Sequence, residues 1–128
     1  MLKQYIITLI VFLVIDGLWL YFVAQNMFKA EIGSLMGEPR IIYALIFYLL
    51  YPLAIVIFVL APSIEAKSLT KAILLGAFLG LIAYGTYELT NMSTLKDWTL
   101  KLVIVDLLWG SFVTALSASI SYYFNSDT

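Results

Sequence analysis

The chain has 128 residues, 63% of them hydrophobic and 12% charged, with a mean hydropathy of +1.02. A water-soluble domain is nearer half apolar and a quarter charged, so this composition excludes one and requires a bilayer. A net charge of -1 with seven scattered basic residues argues against a nucleic-acid surface, and the absence of Cys and His removes disulfides, thiolate or imidazole catalysis, and thiolate or histidine metal ligands.

Crossing the hydrocarbon takes about 20 residues, so the length holds four spans with short loops. The expected fold is all-α, an integral membrane bundle of four transmembrane helices forming one domain over residues 1–128. The first span covers about residues 5–24. Lys3 precedes it as in a signal peptide, but the apolar run is too long for a signal core, contains Asp16 and lacks a small-x-small cleavage site, so the segment is expected to be retained. Phe28, Ile32, Leu35 and Met36 then recur at helical spacing among Lys29, Glu31 and Glu38, which predicts a short amphipathic connector on the bilayer surface.

Gly33, Gly37 and Pro39 break the chain before a second span at about 41–60. Pro52 inside it removes one N–H and is expected to kink the helix and free the Tyr48 carbonyl beside Tyr51. Pro62 and Ser63 are expected to end it. The third span, about 72–89, carries Gly76, Gly80, Tyr84 and Glu88 at four-residue steps, with Tyr87 and Asn91 on the adjoining face. Its glycine end suits close helix packing and its polar end suits a site. Counted from Asn91, Glu88 is only about 5 Å deep, so a solvated carboxylate competes with a functional one. Asn91 reads most simply as a helix C-cap.

Thr94 and Asp97 read as a capping box that opens a fourth span at about 98–122, with Trp98 at the interface. Asp106, Gly110, Thr114, Ser117 and Ser121 form a small and polar packing stripe, and Lys101 lies too far around the helix to pair with Asp106. An even number of spans puts both termini on one side. Lys3, Lys67 and Lys71 on that side balance Lys29, Arg40, Lys96 and Lys101 on the other, which leaves orientation open and admits dual insertion.

Asp16, Glu88 and Asp106 are the informative residues. A charge at the bilayer centre costs at least about 2.5–3.5 kcal/mol, so such groups are normally neutral, paired or turned toward a polar cavity. With a rise of about 1.5 Å per residue, Asp16 is roughly 16 Å from one surface and Asp106 roughly 12 Å from the other, which puts both near the midplane. Tyr48, Tyr51 and Tyr84 fall in the same slab. Asp16 and Trp19, and Asp106 and Trp109, repeat the spacing Asp-x-x-Trp. Residues three apart share a helix face, so each acid and its own indole can point into one space, unless the repeat is coincidental.

Asp16-Gly-Leu-Trp19, Tyr48-x-x-Tyr51-Pro52, Tyr84-Gly-Thr-Tyr87-Glu88-Leu-Thr-Asn91 and Val105-Asp106-Leu-Leu-Trp109-Gly110 together resemble the bacterial predicted-membrane-protein family called domain of unknown function 2177. The resemblance extends over essentially the whole chain. It implies a small four-helix protein of the bacterial inner membrane, multi-pass with both termini on one side, and it brings no activity, catalytic residue, cofactor or metal.

Three functions remain open on the sequence. The first is a proton-linked transporter or permease whose site combines Asp16, Trp19, Tyr48, Tyr51, Tyr84, Tyr87, Glu88, Asn91, Asp106 and Trp109. Its partners are membrane lipid and a small cationic or lipid-like ligand, with self-association left open. The second is a non-catalytic scaffold or accessory subunit whose buried acids hydrogen-bond to Tyr and Trp. The third, an intramembrane enzyme with an Asp16–Asp106 dyad sharing a proton, lacks the Gly-x-Gly-Asp motif of intramembrane aspartyl proteases and has little chain left to hold a substrate.

Overall fold

A computed structural model describes residues 1–38 and 40–126, so Pro39, read above as a breaker, lies outside the described residues. Four helices, α1 (Leu2–Leu35), α2 (Ile41–Glu65), α3 (Leu69–Thr94) and α4 (Leu100–Asn125), are each long and apolar enough to cross a membrane. No strand occurs among the described residues, and the all-α class expected from composition is the class observed.

The helices outrun the expected spans at most ends, and tertiary contacts account for it. The segment read as a surface connector is the continuation of α1, whose helix runs past Ala24 to Leu35. Ile32 buries itself against Trp98, Leu102 and Val103, and the Thr99 hydroxyl donates to Glu31 Oε1 at 2.8 Å. These contacts tie the end of α1 to the start of α4 and hold the amphipathic turns helical.

Two π-turns widen α1 at Leu20–Ala24 and α2 at Val56–Leu60. The buried positions of α1 are Thr8, Phe12, Asp16, Ala24 and Ile32, all separated by multiples of four. Four-residue steps precess by roughly 40° each on a regular α-helix, and a π-turn takes up one extra residue, about 100° of that drift. The widened turn thereby helps keep the distal half of α1 facing the bundle. In α2 the helix continues through Pro52. The Tyr5 hydroxyl donates at 2.7 Å to the carbonyl of Leu49, three residues before the proline and next to the Tyr48 carbonyl expected to be freed.

Pro62 and Ser63 do not end α2, which closes at Glu65 in a Schellman arrangement. Lys67 adopts φ 52°, its N–H bonds to the Ile64 carbonyl, and the Ser68 N–H bonds to the Ser63 carbonyl. Ser68 then caps α3 by accepting from the Lys71 N–H at 3.0 Å. The expected capping box is not formed either. Thr94 is still helical and spends its hydroxyl on the Thr90 carbonyl, while Thr99 is the N-cap of α4 and accepts from the Leu102 N–H. Asn91 is accordingly inside α3 rather than at its C-cap.

α3 and α4 form the closest pair, antiparallel, with their small-residue stripes face to face. A Cβ on Gly76 would lie 2.8 Å from the Cα of Ala115, one on Gly80 would overlap the Gly110 carbonyl, and one on Gly110 would enter the Tyr84 ring. Phe12, Tyr51, Ile55, Val59, Val113 and Ala118 fill the core beside this pair. Hydroxyl bonds cross it from Thr8 to Ser121 and from Tyr51 to Thr114, each 2.7 Å. Residues 41–50 of α2 stand apart, all exposed except Tyr48.

Candidate functional site

Asp16 is 5% exposed, with each carboxylate oxygen taken by a donor from another helix. Tyr48 Oη of α2 donates to Oδ2 at 2.5 Å, and Trp109 Nε1 of α4 donates to Oδ1 at 2.9 Å. The four residues of the two Asp-x-x-Trp motifs line one space, and the indole that donates to Asp16 is that of α4, not the one on its own helix. Trp19 offers its ring face, stacked on Trp109 with centroids 4.3 Å apart and planes 7° from parallel.

The second half of the repeat does not mirror the first, because Asp106 turns toward α3. Its carboxyl lies within hydrogen-bond reach of Glu88 and feels the charge of Asp16 at longer range. Asp16 instead has Tyr48 and Trp109 as its partners, so the Asp16–Asp106 dyad is not the carboxyl pair that forms. Glu88 is fully buried, which overturns the solvated reading. α3 continues past Asn91 to Thr94, and Trp98 covers the carboxyl. Trp98 Nε1 donates to Glu88 Oε1 at 2.9 Å, so this indole serves a buried acid. Glu88 Oε2 is buried and receives no donor.

A cavity of about 310 Å³ joins much of this cluster, with Asp16, Trp19, Tyr48, Tyr84, Asp106 and Trp109 in its wall. Tyr87 also lines it and meets Trp98 edge-on at 5.7 Å. Three of the expected site residues lie outside the lining: Tyr51, which bonds Thr114 in the core, Glu88, which sits behind Asp106, and Asn91, half-buried on α3. The lining adds Phe47 from α2, and Leu20, Ala24 and Phe28 from beyond the expected midplane slab of α1. Their sequence signal was the unbroken four-residue spacing from Asp16 through Leu20 and Ala24 to Phe28. That spacing became meaningful only with the π-turn.

No Lys or Arg lines the cavity, and the groups that hold Asp16 and Glu88 are neutral N–H and O–H donors. Acids in low-dielectric surroundings without a counter-ion make the space attractive to a cation or a proton. Among the described residues, no group of three Asp or Glu side chains is arranged to hold a metal ion.

Four long apolar helices around an acid and aromatic cluster define a small multi-pass integral membrane protein. The chain belongs to the family described as predicted membrane protein (DUF2177), whose sequence profile matches residues 1–123, the family its motifs resemble. No curated protein and no solved structure matches the chain.

Proposed function

We propose that the protein is a proton-linked transporter of a small organic cation in the bacterial inner membrane, working at the cavity between Asp16 and Asp106. The observation that supports this reading is the composition of that one space: two carboxyls and the rings of Trp19, Tyr48, Tyr84 and Trp109, with no basic side chain. A cation over a desolvated aromatic face gains about 2 kcal/mol, and a carboxylate supplies the opposite charge. About 310 Å³ is at the small end of ligand cavities and suits a compact amine or quaternary ammonium. Exchange of the cation for a proton keeps the charge of the buried site constant, which avoids the large cost of leaving a bare carboxylate in hydrocarbon.

The test is uptake of radiolabelled tetraethylammonium into proteoliposomes that are acidic inside. Wild type should accumulate it, Asp16→Asn and Asp106→Asn should not, and equilibrium binding should tighten as pH rises because protons and cation compete. Wild-type vesicles with neither uptake nor saturable binding of quaternary ammonium or amine probes would exclude the reading.

A scaffold role is favoured by a different observation. Both oxygens of Asp16 are already satisfied inside the protein, as expected of a structural acid. On that reading Asp16→Asn leaves any cellular phenotype unchanged.

A further inference from the structure

We propose that Glu88 and Asp106 hold one proton between them and constitute a proton site separate from the Asp16 carboxylate, with Trp98 as its positioning residue. The use of that proton in transport rests on the function proposed above; its presence does not.

One oxygen of Glu88 is unsatisfied. Glu88 is completely buried, its Oε1 accepts from Trp98, and its Oε2 receives no hydrogen bond from any donor. An ionised carboxylate accepts hydrogen bonds and donates none, so two ionised carboxyls facing each other cannot bond. The Asp106 carboxyl nevertheless lies within hydrogen-bond reach of Glu88. One proton on either acid turns this contact into a short O–H···O bond and gives one charge, not two, to the buried pair.

The surroundings offer no other route to neutrality. From α1, Asp16 faces Asp106; from α3 come Glu88 itself and the phenols of Tyr84 and Tyr87; from α2, the Tyr48 phenol acts on Tyr84. None of these groups is basic. Asp16 differs, because neutral donors from α2 and α4 cover both of its oxygens.

Position separates the two roles as well. Asp106 lines the cavity and Glu88 does not. Behind Glu88, Trp98 forms part of a second depression of about 440 Å³ that also includes Ile32, Tyr87, Lys96 and Asp97. The pair thus lies between the cavity and this depression, with the Trp98 indole fixing Glu88 on the far side.

Infrared spectroscopy of the protein in liposomes tests this without a known substrate. At neutral pH the wild type should show the carbonyl stretch of one hydrogen-bonded neutral carboxyl. Separate ¹³C labelling of Asp and of Glu in the unaltered protein should assign it to the pair. Glu88→Gln and Asp106→Asn should each abolish the band, Asp16→Asn should keep it, and Trp98→Phe should shift its frequency and the pH at which it disappears. A wild type without the band, or a band lost in Asp16→Asn and kept in Glu88→Gln, would overturn the proposal. A wild type that carries the band but transports no cation leaves the proton pair standing and removes the transporter reading alone.

Discussion

Asp16 takes its two hydrogen bonds from α2 and α4, so its side chain fastens three helices at one point. The chemistry of the two donors decides what a substitution does. Trp109 Nε1 can only donate, whereas the Tyr48 hydroxyl can donate or accept. An asparagine with Oδ1 toward Trp109 and its amide nitrogen toward Tyr48 therefore keeps both bonds. Asp16→Asn should stay within about 1 kcal/mol of wild-type stability in reversible detergent unfolding, whereas Asp16→Leu should lose about 1–3 kcal/mol by leaving both donors unpaired. Cation binding should be lost in both. That Asp16 and Asp106 turn inward was legible in the sequence, because the cost of a lipid-facing carboxylate admits little else. Which donor each acid would choose was not legible. That choice depends on side-chain directions between helices: Asp16 takes its indole donor from α4 and Asp106 turns to Glu88. The burial of Glu88 was not legible either, because the Trp98 that covers it lies ten residues on, beyond the turn between α3 and α4.

Helix packing makes glycines of the same chain behave differently. At Gly80 an added methyl collides with backbone, the Gly110 carbonyl, while at Gly17 nothing lies within 4 Å. Gly80→Ala should force α3 and α4 apart and cost about 1–3 kcal/mol, with Tyr84 displaced from the cavity wall. Gly17→Ala should be neutral or gain up to about 1 kcal/mol from helix propensity. Parallel unfolding titrations of the two variants check both signs. At the end of α2, Lys67 holds a positive φ that glycine adopts more readily, and Lys67→Gly should raise stability by roughly 1 kcal/mol in the same assay. The stripes of α3 and α4 were legible as packing faces from their four-residue spacing, and they do pack on each other. The π-turns were not legible. The residues at Leu20–Ala24 and Val56–Leu60 are apolar like most of those before them in the same helices, so nothing local marks the widening.

At the scale of the molecule, cohesion is uneven. α3 and α4 interlock along their length, whereas residues 41–50 of α2 are held to the other helices mainly through Tyr48 and the bond from Tyr5 to the Leu49 carbonyl. Local opening follows from few buried contacts, so backbone hydrogen exchange in micelles should be fastest at residues 41–50 and slowest in the facing halves of α3 and α4. Equal protection of the four helices would contradict this ranking. The same unevenness puts the cavity beside the part of the bundle that is held least.

The chain contains three tryptophans, Trp19, Trp98 and Trp109, and all of them belong to the acid cluster. Two form a stacked pair in the cavity wall and the third covers Glu88. The indole emission of the unmodified protein, excited selectively over tyrosine, consequently arises at the site, with no indole elsewhere to dilute it. The native chain is its own optical reporter: arrival of a cation at Asp16 should perturb the stacked pair, and loss of a proton behind Asp106 should perturb Trp98, so the two events acquire separate spectral signatures without a label.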